Sequence, residues 1–257
     1  MSMGVISWWF NGGDTDVAII FLGESTKALE PGHFTYFLVA GTLGTLVGFQ
    51  SDFVARTFNL SENEASTLVH NQPETLITQI DKGVKLPKPN KQVTETIYAA
   101  IDTPTADVVV KEGGIVNSLT EYKIPVLGKI GLSARFVRLE GNAMLVPSYL
   151  ADGSIILSYV TKGSGLIRIV GSTGKADLDT RVEEGDLFIV PPFFAVAGVA
   201  DDCGMDLFSV HVFGQIAGEM SIWNALSPKV LQTTLNINPE LAEDFKSRNA
   251  KSISIIP

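Results

Sequence analysis

"VPSYLADGSIILSYVTKGSGLIRIVGSTGK", Val146 to Lys175, decides the fold of this chain. Two apolar runs, Ile155–Val160 and Leu166–Val170, flank a Gly-Ser-Gly turn at Gly163–Gly165. Short apolar runs broken by Gly and Ser read as strands joined by turns, because Gly accepts the positive φ that tight turns demand. The stretch therefore reads as the mouth of a small β-barrel. On either side of it "SARFVRLEGNAML" (from Ser133), "LFIV" (from Leu187), "FAVAGVA" (from Phe194) and "DLFSVHVFG" (from Asp206) keep the same rhythm, with Gly, Asp or Pro between them. That spacing is the pattern of a sandwich or barrel. Cys203 falls in "DDCGM", read as a surface turn, with Asp201, Asp202 and Asp206 forming a solvated loop around it. Asp177, Asp179, Glu183 and Glu184 read as charges around a strand edge.

The tail changes period. Ser227 with Pro228, and Asn238 with Pro239, are N-caps followed by Pro at the first helical position, so "SPKVLQTTL" and "NPELAEDFKSRN" are helices. The first part of the chain is a shorter version of the same plan. "VISWWFNGGDTDVAIIFLG", from Val5, reads as two strands about an Asn-Gly-Gly turn, and "GHFTYFLVAGT", from Gly32, as a further extended run. In "SDFVARTFNLSENEASTLVHNQ" the residues Phe53, Val54, Thr57 and Phe58 fall at helical spacing, and Ser61 with Glu64 forms a capping box for a second helix. "KGVKLPKPNK", residues 82–91, is a linker or exposed loop, since Pro87 and Pro89 suit neither a helix nor a central strand.

The two helical endings match each other. Phe58 aligns with Leu235, Asn59 with Asn236, Leu60 with Ile237, Ser61 with Asn238 and Ala65 with Ala242, every pair separated by the same interval. A repeat at fixed offset points to duplicated modules. The second module has a full set of strands before its helices and the first only a few, so about half of the first module is expected to be missing upstream.

Composition narrows the function. The formal charge is −9, with 19 Lys and Arg against 28 Asp and Glu, and no basic run, which argues against nucleic acid. No apolar run approaches the roughly 20 residues that span a bilayer. The apolar start "MSMGVISWWF" lacks a basic region and a small-residue cleavage site, so the cytoplasm is the expected compartment. A single cysteine excludes an intrachain disulfide and a Cys-x-x-Cys metal site. "GSTGK" and "KGSG" join strands and lack the contexts of a phosphate loop or a nucleophile elbow.

The long ordered stretches "GVISWWFNGGD", "FLVAGT" and "GFQSDFVARTFNLS", then "GNAMLVPSYLADGSIILSYVTKGSGLIRIV", "VEEGDLFIVPPFFAVAG" and "NALSPKVLQTTLNI", resemble the legumin-type (11S) seed globulins, plant two-cupin proteins. The resemblance implies a mostly β fold, a cupin jelly-roll barrel with helices after each module. Residues 1–80 would be the C-terminal part of a first cupin, 81–97 a linker and 98–257 a complete second cupin with its helical extension. It also implies a homotrimer, here through the C-terminal helices, whose stripe includes Val230, Leu231, Thr234, Leu235, Leu241, Ala242 and Phe245.

Metal-dependent cupins carry two His and a Glu around one strand and a third His on a later one. By the resemblance those positions are Ser148, Leu150, Ser154 and Val196 in the second module and Ser7 for the later strand of the first. None is a good ligand. His33, His70 and His211 are far apart in sequence and read as solvated or ordinary packed residues. No catalytic residue, metal or cofactor is therefore expected, and a metal-dependent enzyme is a distant third reading. The chain also departs from plain storage globulins. Asn90 is followed by Lys91 instead of Gly, and Tyr98 stands where the interchain cysteine is expected, so the usual cleavage and disulfide are unsupported. Gln- and Arg-rich inserts are absent, and a storage vacuole enters only if a leader lies upstream. The first reading is a non-catalytic nutrient reservoir of seed-storage type. The second is a small-ligand-binding barrel with a pocket of Ser148, Tyr149, Tyr159 and Phe194.

Overall fold

The computed structural model describes residues 8–17, 19, 21, 25, 28–33, 35–72, 74, 76–81, 83–87, 106–149, 153–212, 226–249 and 255–257. The chain divides into two compact units, Ile20–Lys91 and Met1–Ile19 with Gln92–Pro257. The smaller unit holds α1 (Thr45–Gly48), α2 (Ser51–Phe58) and α3 (Glu62–His70). The larger unit carries the strands. These are β1 (Val108–Val110), β2 (Gly114–Leu119), β3 (Leu132–Leu139), β4 (Met144–Tyr149), β5 (Ile155–Val170), β6 (Ala176–Glu183), β7 (Leu187–Val190), β8 (Ala195–Val212) and β9 (Ile255–Ile256). A short helix α4 (Pro125–Ile130) precedes β3, and α5 (Pro228–Leu235) and α6 (Pro239–Asn249) follow β8.

Every pairing is antiparallel. Two long strands organise the barrel. The C-terminal half of β8 lies between β3 and the N-terminal half of β5, and its N-terminal half lies between β4 and the C-terminal half of β5. β1 and β2 extend the first sheet, β7 pairs the first half of β5, β6 pairs its second half, and β9 adds to β4. The two faces enclose one apolar cluster: Val137, Leu139, Val160, Val190 and Leu207 from one, Leu145, Ile167, Ile169 and Val196 from the other. Each such side chain contributes about 1.5–3 kcal/mol when fully buried. This is a double-sheet barrel of jelly-roll type.

The Gly-Ser-Gly turn expected at Gly163–Gly165 is not a hairpin. β5 runs through it, and the register steps from Gly163↔Met205 to Gly165↔Ala200. Ser164 alone therefore faces the stretch Asp201–Gly204 of β8, a bulge where both strands pass from one sheet to the other. Gly163 has φ +75°, and a Cβ there would lie 2.1 Å from the Gly204 carbonyl oxygen. "DDCGM" is accordingly the outward side of that bulge and no surface turn between separate strands; Cys203 is exposed on it. Nor is Asp206 solvated. It sits buried opposite Arg138 and accepts from its Nε and Nη2 at 3.1 Å each, which holds the guanidinium's pKa above its ordinary value. Asp201 is bonded by Ser164 and lies 2.7 Å from Arg181, and Asp179 lies 2.6 Å from Arg168.

The helical endings form as expected, and their repeat is geometric as well as sequential. α2 and α5 each have eight residues and end on an asparagine in the left-handed region, Asn59 at φ 54°, ψ 47° and Asn236 at φ 52°, ψ 46°. The next residue then donates back into the helix, Leu60 N to Ala55 O at 2.9 Å and Ile237 N to Gln232 O at 3.2 Å. Both amides thereby satisfy carbonyls that a helix end would leave open. Ser61 and Glu64 make the capping box at α3, and Asn238 Oδ1 accepts from Leu241 N at 2.7 Å at α6. Val54 and Leu231 are buried at equivalent places, as are Ala65 and Ala242.

Three further expectations change. Residues 8–17 contain a bend and no strand: Asn11 bonds Gly13 N and Thr15 O through its own side chain, a local alternative to a ladder. The described part of 32–42 is not strand either. The apolar stripe on the C-terminal helices is split, because Leu231 and Ala242 are fully buried within the unit while Val230, Leu235 and Leu241 are exposed.

Candidate functional site

The interior of the barrel changes character along its length. Directly opposed residues of antiparallel strands share a face, so the registers define rows. One row runs Val137–Leu207–Val160, all in the apolar core. The next runs Arg135–Ser209–Ser158, and the one beyond it Ser133–His211–Ile156. Ser133, Arg135, Ser158, Ser209 and His211 are all buried, and the Ser158 and Ser209 hydroxyls meet at 2.8 Å. On the facing sheet the row Leu145–Gly198–Ile167 gives way to Ser148–Val196–Ile169. In both sheets the polar row lies on the side away from the bulge at Asp201–Gly204, so the two rows occupy one end of the barrel. Ser154 alternates with Ile156 and Ser158 on the same strand path and is likewise buried.

The expected ligand positions in the second module are thus brought together where the structure describes them. Ser148 and Val196 are paired across β4 and β8, and Ser154 enters the same end. Leu150 and Ser7 lie outside the described residues. A hydroxyl, a second hydroxyl and an isopropyl group offer a metal neither imidazole nor carboxylate. Among the described residues no group of three or more His, Cys, Asp or Glu forms a possible metal site. His33 is exposed, and His70 Nδ1 lies 3.0 Å from Ser66 O at the end of α3.

The four residues expected to line a ligand pocket do not converge. Ser148 faces the interior and Phe194 packs against its core. Tyr149 follows the inward Ser148 and Tyr159 sits between the inward Ser158 and Val160, opposite Ala195 and Phe208, and so both point to the outer face. A register shift between Leu145 and Ser148 sets the parity of β4, and no local residue pattern announces it.

Residues 99–243, more than half of the sequence, match the cupin family. The chain belongs to that family. This cupin is 31% identical to glycinin G3 of Glycine max over 160 residues, which are 60% of this chain and 33% of that protein. It is 26% identical to a legumin type B of Vicia faba over 231 residues, 78% of this chain and 70% of that one. Among solved structures, the coconut allergen cocosin superposes with a TM-score of 0.72 at 25% identity, covering 86% of this chain and 62% of that chain. The jelly roll and the likeness to legumin-type seed globulins are therefore shared with proteins of known structure, while this cupin spans only about a third of glycinin G3's length.

What sequence reasoning missed in this cupin is the polar pair of rows. Arg135 has its pKa pushed down to about 10 by burial, so it remains a cation at neutral pH. It is one of the few charged side chains inside the barrel among the described residues. The alternation in "LSARFVRL" was the available signal: Ser133, Arg135 and Val137 share one side of β3, Ala134 and Phe136 the other. Two shallow grooves lie outside the barrel, one along Asn238–Ser247 and one between Val109 and Glu140; neither contains a candidate position.

Proposed function

We propose that this chain is a non-catalytic plant cupin of the reservoir type, in the manner of the seed globulins it resembles. The observation that supports the reading is the chemistry of the barrel interior: the buried Ser148, Val196 and Ser154, which the resemblance assigns to the ligand positions of metal-dependent cupins, carry neither imidazole nor carboxylate. Without those groups the fold retains a stable apolar core and no centre for metal-assisted chemistry. Residues 1–80 are read as the end of a first module, joined through 81–97 to the second at 98–257; the helix pair that recurs at a constant interval supports this. The same repeat supports assembly. Exposed Phe53 and Phe58 on α2 stand at the places of exposed Val230 and Leu235 on α5, so both modules offer an equivalent apolar helix face. A head-to-tail contact between such faces closes into a ring, and a homotrimer is the assembly proposed. The compartment proposed is the cytoplasm; among the described residues no helix is long and apolar enough to cross a membrane.

Immunoblots across seed maturation, germination and leaf growth test the reservoir role. Accumulation in maturing seed and loss on germination are expected, and a low constant level in all tissues refutes it. Elemental analysis of protein purified without chelator should give well below one transition metal per chain; a stoichiometric metal lost in Ser148→Ala would overturn the non-catalytic reading.

A further inference from the structure

Among the described residues five non-glycine residues have positive φ. Asn59, Glu112, Asn142 and Asn236 are polar; the fifth is Phe193, at φ 66°. Phe193 lies in the turn that joins β7 to β8. Phe194 N donates to Pro191 O at 3.2 Å, so Pro192 and Phe193 are the central residues of a hydrogen-bonded turn. The proline ring holds Pro192 at negative φ. A positive φ at the next residue then makes the turn type II, whose third position ordinarily takes glycine or asparagine. A bulky side chain there is strained. Burial does not offset the strain, since Phe193 is 68% exposed. The tip of the ring rests on the loop that leads into β5: a Cβ at Gly153 would lie 3.6 Å from Phe193 Cζ. Both loops rim the polar end of the barrel, where Val190 is opposite Ile156 and Ser148 opposite Val196, and Ser154, next to Gly153, is buried.

The same four residues have a second arrangement open to them. Type I and type II turns differ mainly by a flip of the central peptide, here the one between Pro192 and Phe193. In type I Pro192 keeps its φ and Phe193 returns to negative φ, free of strain. The left-handed penalty favours that relaxed turn by a factor of about 5–30. The contact of the ring with the Gly153 loop opposes it.

We infer that the Pro191–Phe194 turn is a two-state latch on this end of the barrel. In the closed state Phe193 is left-handed and its ring bridges to Gly153. In the open state the central peptide is flipped, the ring leaves Gly153, and Ser154 is released to solvent. The latch needs no bound ligand and is independent of the reservoir reading: either can fail alone.

Nitrogen-15 relaxation dispersion on the full chain, which reads exchange on the μs–ms scale, tests it. The amides of Ser154, Ile155, Phe194 and Ala195 should exchange at one common rate with a minor state of about 1–10%. Phe193→Gly, for which positive φ carries no penalty, should abolish the exchange at Phe194 and Ala195. Phe193→Ala keeps the penalty and loses the ring, so the unopposed factor of about 5–30 should make the open turn the major one. Absence of exchange in the wild type, different rates at the two loops, or exchange that persists in Phe193→Gly overturns the latch. Wild-type populations in Phe193→Ala overturn it too, because the ring would then not be the catch. Should either variant not fold, the wild-type rates at the two loops decide by themselves.

Discussion

Gly163→Ala is the substitution that most directly probes how β5 crosses from one sheet to the other. Gly163 and Gly174 have nearly the same backbone conformation, φ +75° and +70°, and nearly opposite surroundings. At Gly174 a Cβ meets nothing within 4 Å; at Gly163 it lies 2.1 Å from the Gly204 carbonyl oxygen. Both alanines bear the left-handed conformation, about 1–2 kcal/mol. Only the methyl group introduced by Gly163→Ala must also push the bulge of β8 away by about 1 Å to restore a normal contact. The oxygen cannot retreat freely, because the next residue, Met205, is buried in the core and paired with both Leu139 and Gly163. Gly163 O also accepts from Glu184 N at 2.9 Å, which ties the other side. Losing two backbone bonds at about 1 kcal/mol each on top of the backbone term gives about 3–4 kcal/mol for Gly163→Ala against about 1–2 for Gly174→Ala. Urea unfolding followed by far-ultraviolet circular dichroism measures both. Equal losses in the two variants, or a loss below about 1 kcal/mol at Gly163, would refute the argument that the bulge is held rigidly.

Leu231→Ala should cost about 2–5 kcal/mol in chemical unfolding, because the side chain is fully buried and its removal leaves a cavity; a cost under about 1 kcal/mol would place it at the surface. Ser61→Ala should lose about 1 kcal/mol from α3. Glu64 is held below its ordinary value of 4.5 by its bonds from Ser61, so its contribution is present above 4.5 and fades as pH falls through the lowered value. The wild-type stability curve below pH 4.5 should therefore fall more steeply than that of Glu64→Gln, and parallel curves would contradict the capping box. Val230→Asp with Leu235→Asp should shift sedimentation from three chains toward one while leaving the fold intact, since both side chains are exposed on α5; an unchanged sedimentation coefficient would remove α5 from the proposed contact.

Elements fixed by neighbouring residues were legible in the sequence. Ser61 with Glu64, Ser227 with Pro228 and Asn238 with Pro239 mark helix starts through bonds between near neighbours in the chain, and each helix begins there. The strands of the second module were also largely visible, as short apolar runs. Their junctions were not. Glycine at positive φ serves a hairpin turn and a bulge equally well, and at Gly163 the choice is made by Gly204 and Met205, far along the chain on another strand. The candidate site shows the same division. Ser148 and Val196, singled out by their positions within the matched stretches, are paired across β4 and β8. The outward direction of Tyr149 and Tyr159 was not legible, because the inward or outward parity of a strand depends on how it registers against β8 and β7. Arg135 escaped notice because Phe136 beside it looks like the core residue of β3, and both are in fact buried.

The long ribbon of β5 with β8 also dictates an order of assembly. Its pairs close chain segments of very different length: Val170 with Ala195 closes the shortest, Gly163 with Met205 a longer one, and Ile155 with Val212 the longest. Each longer closure costs more chain entropy unless the shorter one is already made. The ladder therefore zips from the β6–β7 side outward, and the bulge at Asp201–Gly204 is a checkpoint midway. Only after it closes are Ser158 and Ser209 brought together, so the rows through Ser209 and His211 are the last part of this ribbon to form and, by the same reasoning, the first to open, while Ile169 and Val196 pair early.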